Sequence, residues 1–240
     1  MHFISKQNIN KSIYFSLLIG LMPFSFIAGN MIININVILI ILSSLVFLRK
    51  ELFTIKFIPV DKILLAYFVL ILITGFINDL YFYKNNIGNN FFITTFKSIL
   101  FIKYLLLYFS LRLLIIREII NLKLFFIICS LATIFVSLDI FYQFFFGKDI
   151  FGFEADFSSR KLSGPFGDEL IAGSFIQRFS IFSFFVLPLY FLNFSKKFSL
   201  VVVPILFVIF LIGIILSGNR MPLLLFLFTL FLMFIFQKQL

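Results

Sequence analysis

Residues 122–146 read LKLFFIICSLATIFVSLDIFYQFFF, a long apolar run whose only charged residues are Lys123 and Asp139. About 20 apolar residues in a helix are needed to cross a hydrocarbon layer about 30 Å thick. This run satisfies that requirement with few polar interruptions, so it predicts a membrane-spanning helix.

The composition of the whole chain agrees with that stretch. Hydrophobic residues make up 62% of the 240 residues and charged residues 12%, and the mean hydropathy is +1.16. Soluble proteins usually contain about 45–50% apolar residues, so a soluble globule is excluded. Too few polar side chains are present to cover a surface that faces water. We therefore expect an all-α, polytopic bundle of transmembrane helices that forms a single domain over residues 1–240.

Eight apolar segments are long enough to be spans of this bundle. The first follows Lys6 and Lys11 and lacks a convincing cleavage site, so we interpret it as an uncleaved helix rather than a signal peptide. The predicted spans are approximately 13–29, 31–48, 63–78, 97–116, 122–146, 170–193, 199–216 and 222–236.

The net charge of +10 predicts the orientation of the spans. No basic cluster is interleaved with exposed polar sequence, so nucleic acid is not an expected partner. Lys and Arg resist translocation, and alternate connections are rich in them, which predicts that this side and both termini are cytoplasmic. The basic residues assigned to the cytoplasmic side are Lys6, Lys11, Arg49, Lys50, Lys56, Lys62, Arg112, Arg117, Lys123, Lys196, Lys197 and Lys238.

The outer side has fewer basic residues, and acidic residues accompany them. Its two longer segments are 79–96, which we expect to be an interfacial loop, and 147–169, the predicted main outer loop. The cytoplasmic turns are too short for a folded domain, so chemistry is expected outside or within the membrane.

Several classes of site are not expected in this chain. Cys129 is the only cysteine and His2 the only histidine, so clusters of metal-binding histidines or cysteines are excluded. No glycine spacing matches a phosphate loop or a dinucleotide fingerprint. We therefore predict neither a metal nor a cofactor.

The first unusual block of residues is R-K-L-S-G-P-F-G-D-E-L-I-A-G-S-F at positions 160–175, followed by Arg178. The turn is attributed to Ser163, Gly164 and Gly167, and the next helix is expected to begin near Asp168 and Glu169, whose carboxylates suit its positive end. Helix capping explains part of this pattern. It does not explain the cations Arg160, Lys161 and Arg178, because an arginine inside a span needs water, an anion or a carboxylate.

The second block is S-G-N-R-M-P at positions 217–222, a predicted outer turn. Ser217 and Gly218 supply the reversal, and Pro222 suits the first turn of the next helix. Arg220 is either an interfacial anchor or part of a cationic cavity shared with the first block. Because guanidinium groups match phosphate oxygens, the expected ligand of such a cavity is a diphosphate.

Polar residues also occur inside two neighbouring spans. Lys103 and Asp139 are expected at similar depth, and Gln143 shares a helix face with Asp139. A buried structural ion pair is one interpretation, and a polar lining of a substrate cavity or a proton path is the other.

The two blocks carry a resemblance to a known family. The run 160–175 with Arg178, followed by S-G-N-R-M-P-L-L-L-F at 217–226, resembles the O-antigen ligase and O-antigen polymerase superfamily of bacterial inner-membrane proteins. By motif the likeness covers about 160–236. It implies a multi-pass inner-membrane protein that handles glycans linked to undecaprenyl diphosphate at the periplasmic face, in lipopolysaccharide or polysaccharide biosynthesis, as a glycosyltransferase without metal or nucleotide.

The resemblance also implies roles for individual residues. Arg160 and Arg220 fall on the family's arginines, with Asp168, Glu169 and Arg178 in the same signature. We expect Arg160, Lys161, Arg178 and Arg220 to bind the diphosphate, and Glu169 or Asp168 to be the candidate general base.

Family members are usually longer and continue into a large periplasmic loop. The chain is therefore expected to be either a fragment that corresponds to the first two-thirds of such a protein or a shortened homologue. We expect the chain alone to bind lipid diphosphates without transferring sugar. Two rival functions stay open at this stage. One is a carrier for a lipid-linked or small anionic substrate, and the other is a non-catalytic assembly partner.

Overall fold

Helices account for almost all of the regular structure. The computed structural model describes residues 6–52, 56–84, 92–155, 161–191 and 196–237. Within those ranges there is no β-strand, only an isolated bridge between Lys148 and Glu154. The ten α-helices are α1 Lys6–Gly20, α2 Met22–Ile27, α3 Asn30–Leu52, α4 Pro59–Lys84, α5 Ile93–Phe101, α6 Lys103–Ile116, α7 Leu122–Phe146, α8 Ala172–Phe191, α9 Lys196–Leu216 and α10 Arg220–Gln237, and a 3-10 turn covers Gly164–Phe166.

The predicted all-α class is confirmed. Among the described residues, four helical segments are long and apolar enough to cross a membrane: Asn30–Arg49, Pro59–Lys84, Ile93–Ile116 and Leu122–Phe146. Three further apolar segments are shorter: Lys11–Ile27, Val201–Leu216 and Arg220–Ile235. Eight spans, a single domain and cytoplasmic termini stay predictions.

The first predicted span, 13–29, is divided in the structure. The structure has α1, a turn residue at Leu21, and the short helix α2. Pro23 is in the first turn of α2. Proline has no N–H group to donate to the carbonyl one turn earlier, and this favours a helix boundary at that point.

Two other boundaries differ from the prediction. The span 97–116 is two helices, α5 and α6, separated at Ile102. The expected loop 79–96 is largely helical where it is described, because α4 continues to Lys84 and α5 begins at Ile93.

The chain divides into two compact units, and the first contains residues 1–15 and 34–120. In this unit, the buried side of α4 is formed by Asp61, Phe68, Gly75 and Asp79. These residues lie on one stripe of the helix, and Asp61 and Asp79 are about five turns apart. A Cβ atom on Gly75 would collide with Ser98, so α4 and α5 approach each other closely there.

Each aspartate on that stripe anchors a neighbouring segment. Asp79 accepts hydrogen bonds from the backbone N–H and side-chain hydroxyl of both Thr94 and Thr95, which caps the start of α5. Asp61 forms an ion pair with Arg112 and accepts a hydrogen bond of 2.8 Å from the hydroxyl of Tyr108, both on α6. Two carboxylates thus fix α4 to the elements around it.

The second unit contains residues 16–33 and 121–240, and α7 forms its centre. Helices α2, α8 and α9 and the 3-10 turn all contact α7. Its core includes Val136 and Ile140 of α7, Ile176 of α8, Phe210 of α9 and Phe226 of α10, all fully buried. Cys129 is fully buried too, which fits a packing role.

Large apolar side chains are abundant on the surface of the described segments. Met31, Val46 and Phe145 are each 76% exposed. Exposing these side chains to water is unfavourable in free energy, whereas contact with lipid hydrocarbon is not.

Candidate functional site

The two unusual sequence blocks meet in the second unit. Nδ2 of Asn219 donates a hydrogen bond of 3.0 Å to the carbonyl oxygen of Leu170. A Cβ atom on Gly173 would collide with Oγ of Ser217 and lie 3.3 Å from the Cβ of Asn219. The start of α8 and the turn before α10 are therefore in direct contact.

This contact places two helix N-termini side by side. Helix α8 begins at Ala172 and α10 at Arg220, and neither has an acidic residue in its first turn. The first N–H groups of a helix have no partner within the helix, and its N-terminus carries a partial positive charge. Together these ends form an electropositive position suited to an anion.

Three of the four predicted diphosphate-binding cations are exposed. Lys161, Arg178 and Arg220 make no hydrogen bond or ion pair with any residue that the structure describes. Arg178 lies about 9 Å along α8 from Ala172. Arg160 lies outside the described residues. The charged groups of Lys161, Arg178 and Arg220 are thus available to a ligand.

The two candidate bases, Asp168 and Glu169, are exposed and precede α8. Helix α8 begins at Ala172, later than the expected start near these residues, because a 3-10 turn at Gly164–Phe166 and a further turn at Gly167 and Asp168 precede it. Oε1 of Glu169 accepts a hydrogen bond of 3.2 Å from Nδ2 of Asn30. This contact orients the Glu169 carboxylate toward the start of α3.

The turn residues of the first block are held against α7. Ser163 and Gly164 are buried, and the N–H of Gly164 donates a hydrogen bond of 2.9 Å to Oε1 of Gln143. Gly164 has a φ of +56°, a conformation that favours glycine. Gly167 approaches the ring of Phe153, and Gly218 with the fully buried Ser217 forms the turn after α9.

An aromatic cavity of about 650 Å³ lies beside this turn. Its wall is almost entirely apolar and combines α2, α7, the loop after α7 and the 3-10 turn. The lining residues are Phe24, Ile27, Ala28, Gly29, Phe135, Phe151, Phe153, Pro165, Phe166 and Gly167. Such a wall suits a hydrocarbon chain rather than a charged ligand.

The polar residues predicted inside the spans have partners in their own units. Nζ of Lys103 donates a hydrogen bond of 2.6 Å to Oδ1 of Asn34 in the first unit. In the second unit, Oδ1 of Asp139 accepts a hydrogen bond of 2.8 Å from the N–H of Ile150. The ion pair between Lys103 and Asp139 stays a prediction.

Sequence reasoning missed two groups of polar residues. One is Asp61 with Arg112 and Tyr108, whose signal was an aspartate at the edge of an apolar run. The other is Asp149, which lies in the predicted main outer loop and is only 3% exposed.

No family model, no curated protein and no solved structure matches the chain.

Proposed function

We propose that the protein is a multi-pass inner-membrane protein of the O-antigen ligase and polymerase type. In this proposal it binds the diphosphate of an undecaprenyl-diphosphate-linked glycan at the periplasmic face. The observation that carries the proposal is the contact of Asn219 with Leu170, because it joins the two motif blocks and sets two positive helix ends beside Arg220.

The exposed cations support a diphosphate as the ligand. A diphosphate offers several anionic oxygens, and guanidinium groups bind such oxygens through two parallel hydrogen bonds. Arg178 and Arg220 supply guanidinium groups, and Lys161 supplies a further positive charge. None of the three is committed to a partner among the described residues.

The same groups suit glycosyl transfer. An acceptor hydroxyl attacks the anomeric carbon, the bond to the diphosphate breaks, and negative charge grows on the leaving group. Fixed positive charges at that position lower the barrier. Glu169 or Asp168 takes up the proton of the acceptor in this scheme, and the contact of Glu169 with Asn30 supports Glu169 as the better-positioned base.

The membrane part of the proposal is supported by the apolar exterior and by the four helical segments of sufficient length. The aromatic cavity beside the 3-10 turn is the kind of surface that a lipid-linked substrate would meet.

The test is Arg220→Ala in the full-length protein, with glycan joining measured in cells. We expect a loss of about 10²-fold or more, by analogy with removal of one group that stabilises a transition-state anion. Arg49→Ala is the matched control, because Arg49 is an exposed arginine on α3, outside the second unit. Both variants should reach the membrane in normal amounts.

Normal polymer levels in Arg220→Ala cells would contradict the assignment. A second measurement separates binding from chemistry. Purified protein should bind radiolabelled undecaprenyl diphosphate, and Arg220→Ala should weaken that binding while Arg49→Ala leaves it unchanged.

A further inference from the structure

The loop that follows α7 is closed onto itself and onto the helix. The N–H of Ala155 donates to the carbonyl of Gly147 at 2.8 Å, and the N–H of Asp149 donates to the carbonyl of Phe153 at 3.0 Å. At the surface of this loop, Lys148 and Glu154 form an ion pair of 3.1 Å. We call residues 147–155 the α7 loop.

Two buried carboxylates lie beneath this loop. Asp139 is fully buried and Asp149 is 3% exposed. In each, Oδ1 accepts one backbone hydrogen bond, from Ile150 at 2.8 Å for Asp139 and from Phe153 at 2.6 Å for Asp149. In each, Oδ2 is buried and has no hydrogen-bond partner among the described residues.

The two carboxylates are close to each other. Asp139 accepts its hydrogen bond from the N–H of Ile150, the residue directly after Asp149. The backbone of Asp149 therefore lies against the Asp139 side chain. Two like charges in one buried place repel each other strongly.

No described side chain neutralises this pair within the second unit. Lys148 is paired with Glu154 and is 60% exposed. Free carboxylate oxygens that are both buried and unpartnered are costly, and native proteins supply them with a proton, a cationic side chain or a metal ion.

We propose that a hard divalent cation binds between Oδ2 of Asp139 and Oδ2 of Asp149 and holds the α7 loop against α7. Two carboxylates match a charge of +2, and a site made only of oxygen atoms is the chemistry that Ca²⁺ and Mg²⁺ prefer. The proposed cation ligands are different residues from the proposed diphosphate-binding residues Lys161, Arg178 and Arg220.

Neighbouring polar atoms can complete the coordination. Oδ2 of Asp139 lies 3.6 Å from the position that a Cβ atom on Gly164 would occupy, and Oε1 of Gln143 accepts the N–H of that glycine. In this proposal the Gln143 oxygen and water are the further ligands. Our earlier prediction of no metal rested on the absence of histidine and cysteine clusters. In the described ranges, no group of three His, Cys, Asp or Glu side chains lies together. A pair of carboxylates with water is a different and sufficient arrangement for such ions.

The test is metal binding by the full chain in detergent after treatment with a chelator. Equilibrium dialysis against radioactive ⁴⁵Ca²⁺ should give one bound ion per chain, and competition with Mg²⁺ decides which ion is preferred. Asp139→Asn and Asp149→Asn should each weaken binding by about tenfold or more, since even outer-shell groups are worth about 10- to 100-fold in metal affinity. Glu154→Gln is the matched control, because Glu154 is an exposed carboxylate of the same loop.

The wild-type measurement alone can overturn the proposal, whether or not the variants fold. Absence of saturable binding of either ion to the wild-type chain would show that the pair is neutralised by a proton or by a side chain. Binding that is equal in wild type and in the Asp139→Asn, Asp149→Asn double variant would place the ion elsewhere and would also overturn the proposal.

Discussion

Gln143 is a single side chain that connects two separate segments to helix α7. Its Oε1 accepts the N–H of Gly164 at 2.9 Å, and its Nε2 donates to the carbonyl of Phe153 at 3.4 Å. Gln143 is fully buried, so both bonds lie inside the protein. The Gln143 side chain therefore attaches residues near both ends of the segment 147–169 to the core.

Replacing Gln143 with leucine should destabilise the protein by about 1–3 kcal/mol, because the buried N–H of Gly164 loses its acceptor. The measurement is the midpoint of thermal unfolding, reported by the reaction of buried Cys129 with a thiol-reactive fluorophore. Tyr142→Phe is the control, since Tyr142 precedes Gln143 but is 43% exposed. Equal midpoints for Gln143→Leu and wild type would show that the two bonds contribute little.

At the scale of elements, the contact between α8 and α10 depends on one glycine. Gly173 leaves room for Ser217 and Asn219, which belong to the turn before α10. A larger residue at that point would separate the two helix N-termini, and Arg220 would move with its helix.

Gly173→Ala should destabilise the protein by about 1–3 kcal/mol, the usual effect of an added methyl group in a tightly packed place. Under the proposed function, it should also reduce glycan joining. Ser217→Gly is the compensating change, because it removes the side chain that the new Cβ would meet, and the double variant should recover part of the lost stability. The unfolding midpoints of the three variants check this. If the double variant is as unstable as Gly173→Ala alone, the collision with Ser217 is not the cause.

Helix α7 shows what the sequence could predict at this scale. Its bounds match the predicted span 122–146, because both ends carry local signals. The side chain of Asn121 accepts hydrogen bonds from the N–H groups of Lys123 and Leu124, and Gly147 ends the helix with a φ of +75°.

Other features depend on contacts between residues far apart in sequence. The extent of α4 and the start of α5 were missed because Asp79, in an apparent loop, caps α5 through Thr94 and Thr95. For the same reason the burial of Asp149 could not be derived, since it depends on the α7 loop folding back. For the candidate site, the sequence predicted the motif residues. It did not predict the hydrogen bond and the close packing that join the two blocks.

At the scale of the whole molecule, the basic residues predict the orientation of α7. Lys123 lies at one end of this helix and Lys148 just beyond the other, so a membrane-spanning α7 places them on opposite sides. In a Cys129→Ser background, Lys123→Cys should react with a membrane-impermeant thiol reagent only from the cytoplasm, and Lys148→Cys only from outside. Labelling of both positions from one side would contradict the predicted orientation.

The same approach separates the proposed enzyme from a carrier. A carrier must open its binding cavity to both sides of the membrane, whereas the proposed transferase needs only an outer opening. Asp139→Cys should therefore resist labelling from the cytoplasm. Reaction from that side would favour transport.

The two aspartates of α4 constrain how this gene can change. Each inserted or deleted residue between Asp61 and Asp79 would rotate one aspartate by about 100° relative to the other and shift it by about 1.5 Å. Only one of the two could then still reach its partners, Arg112 and Tyr108 at one end or Thr94 and Thr95 at the other. Side chains on the exposed face of this helix are free to vary, but its length is not. The spacing of Asp61 and Asp79 thus fixes the number of residues between them, while most substitutions on the exposed face leave that spacing unchanged.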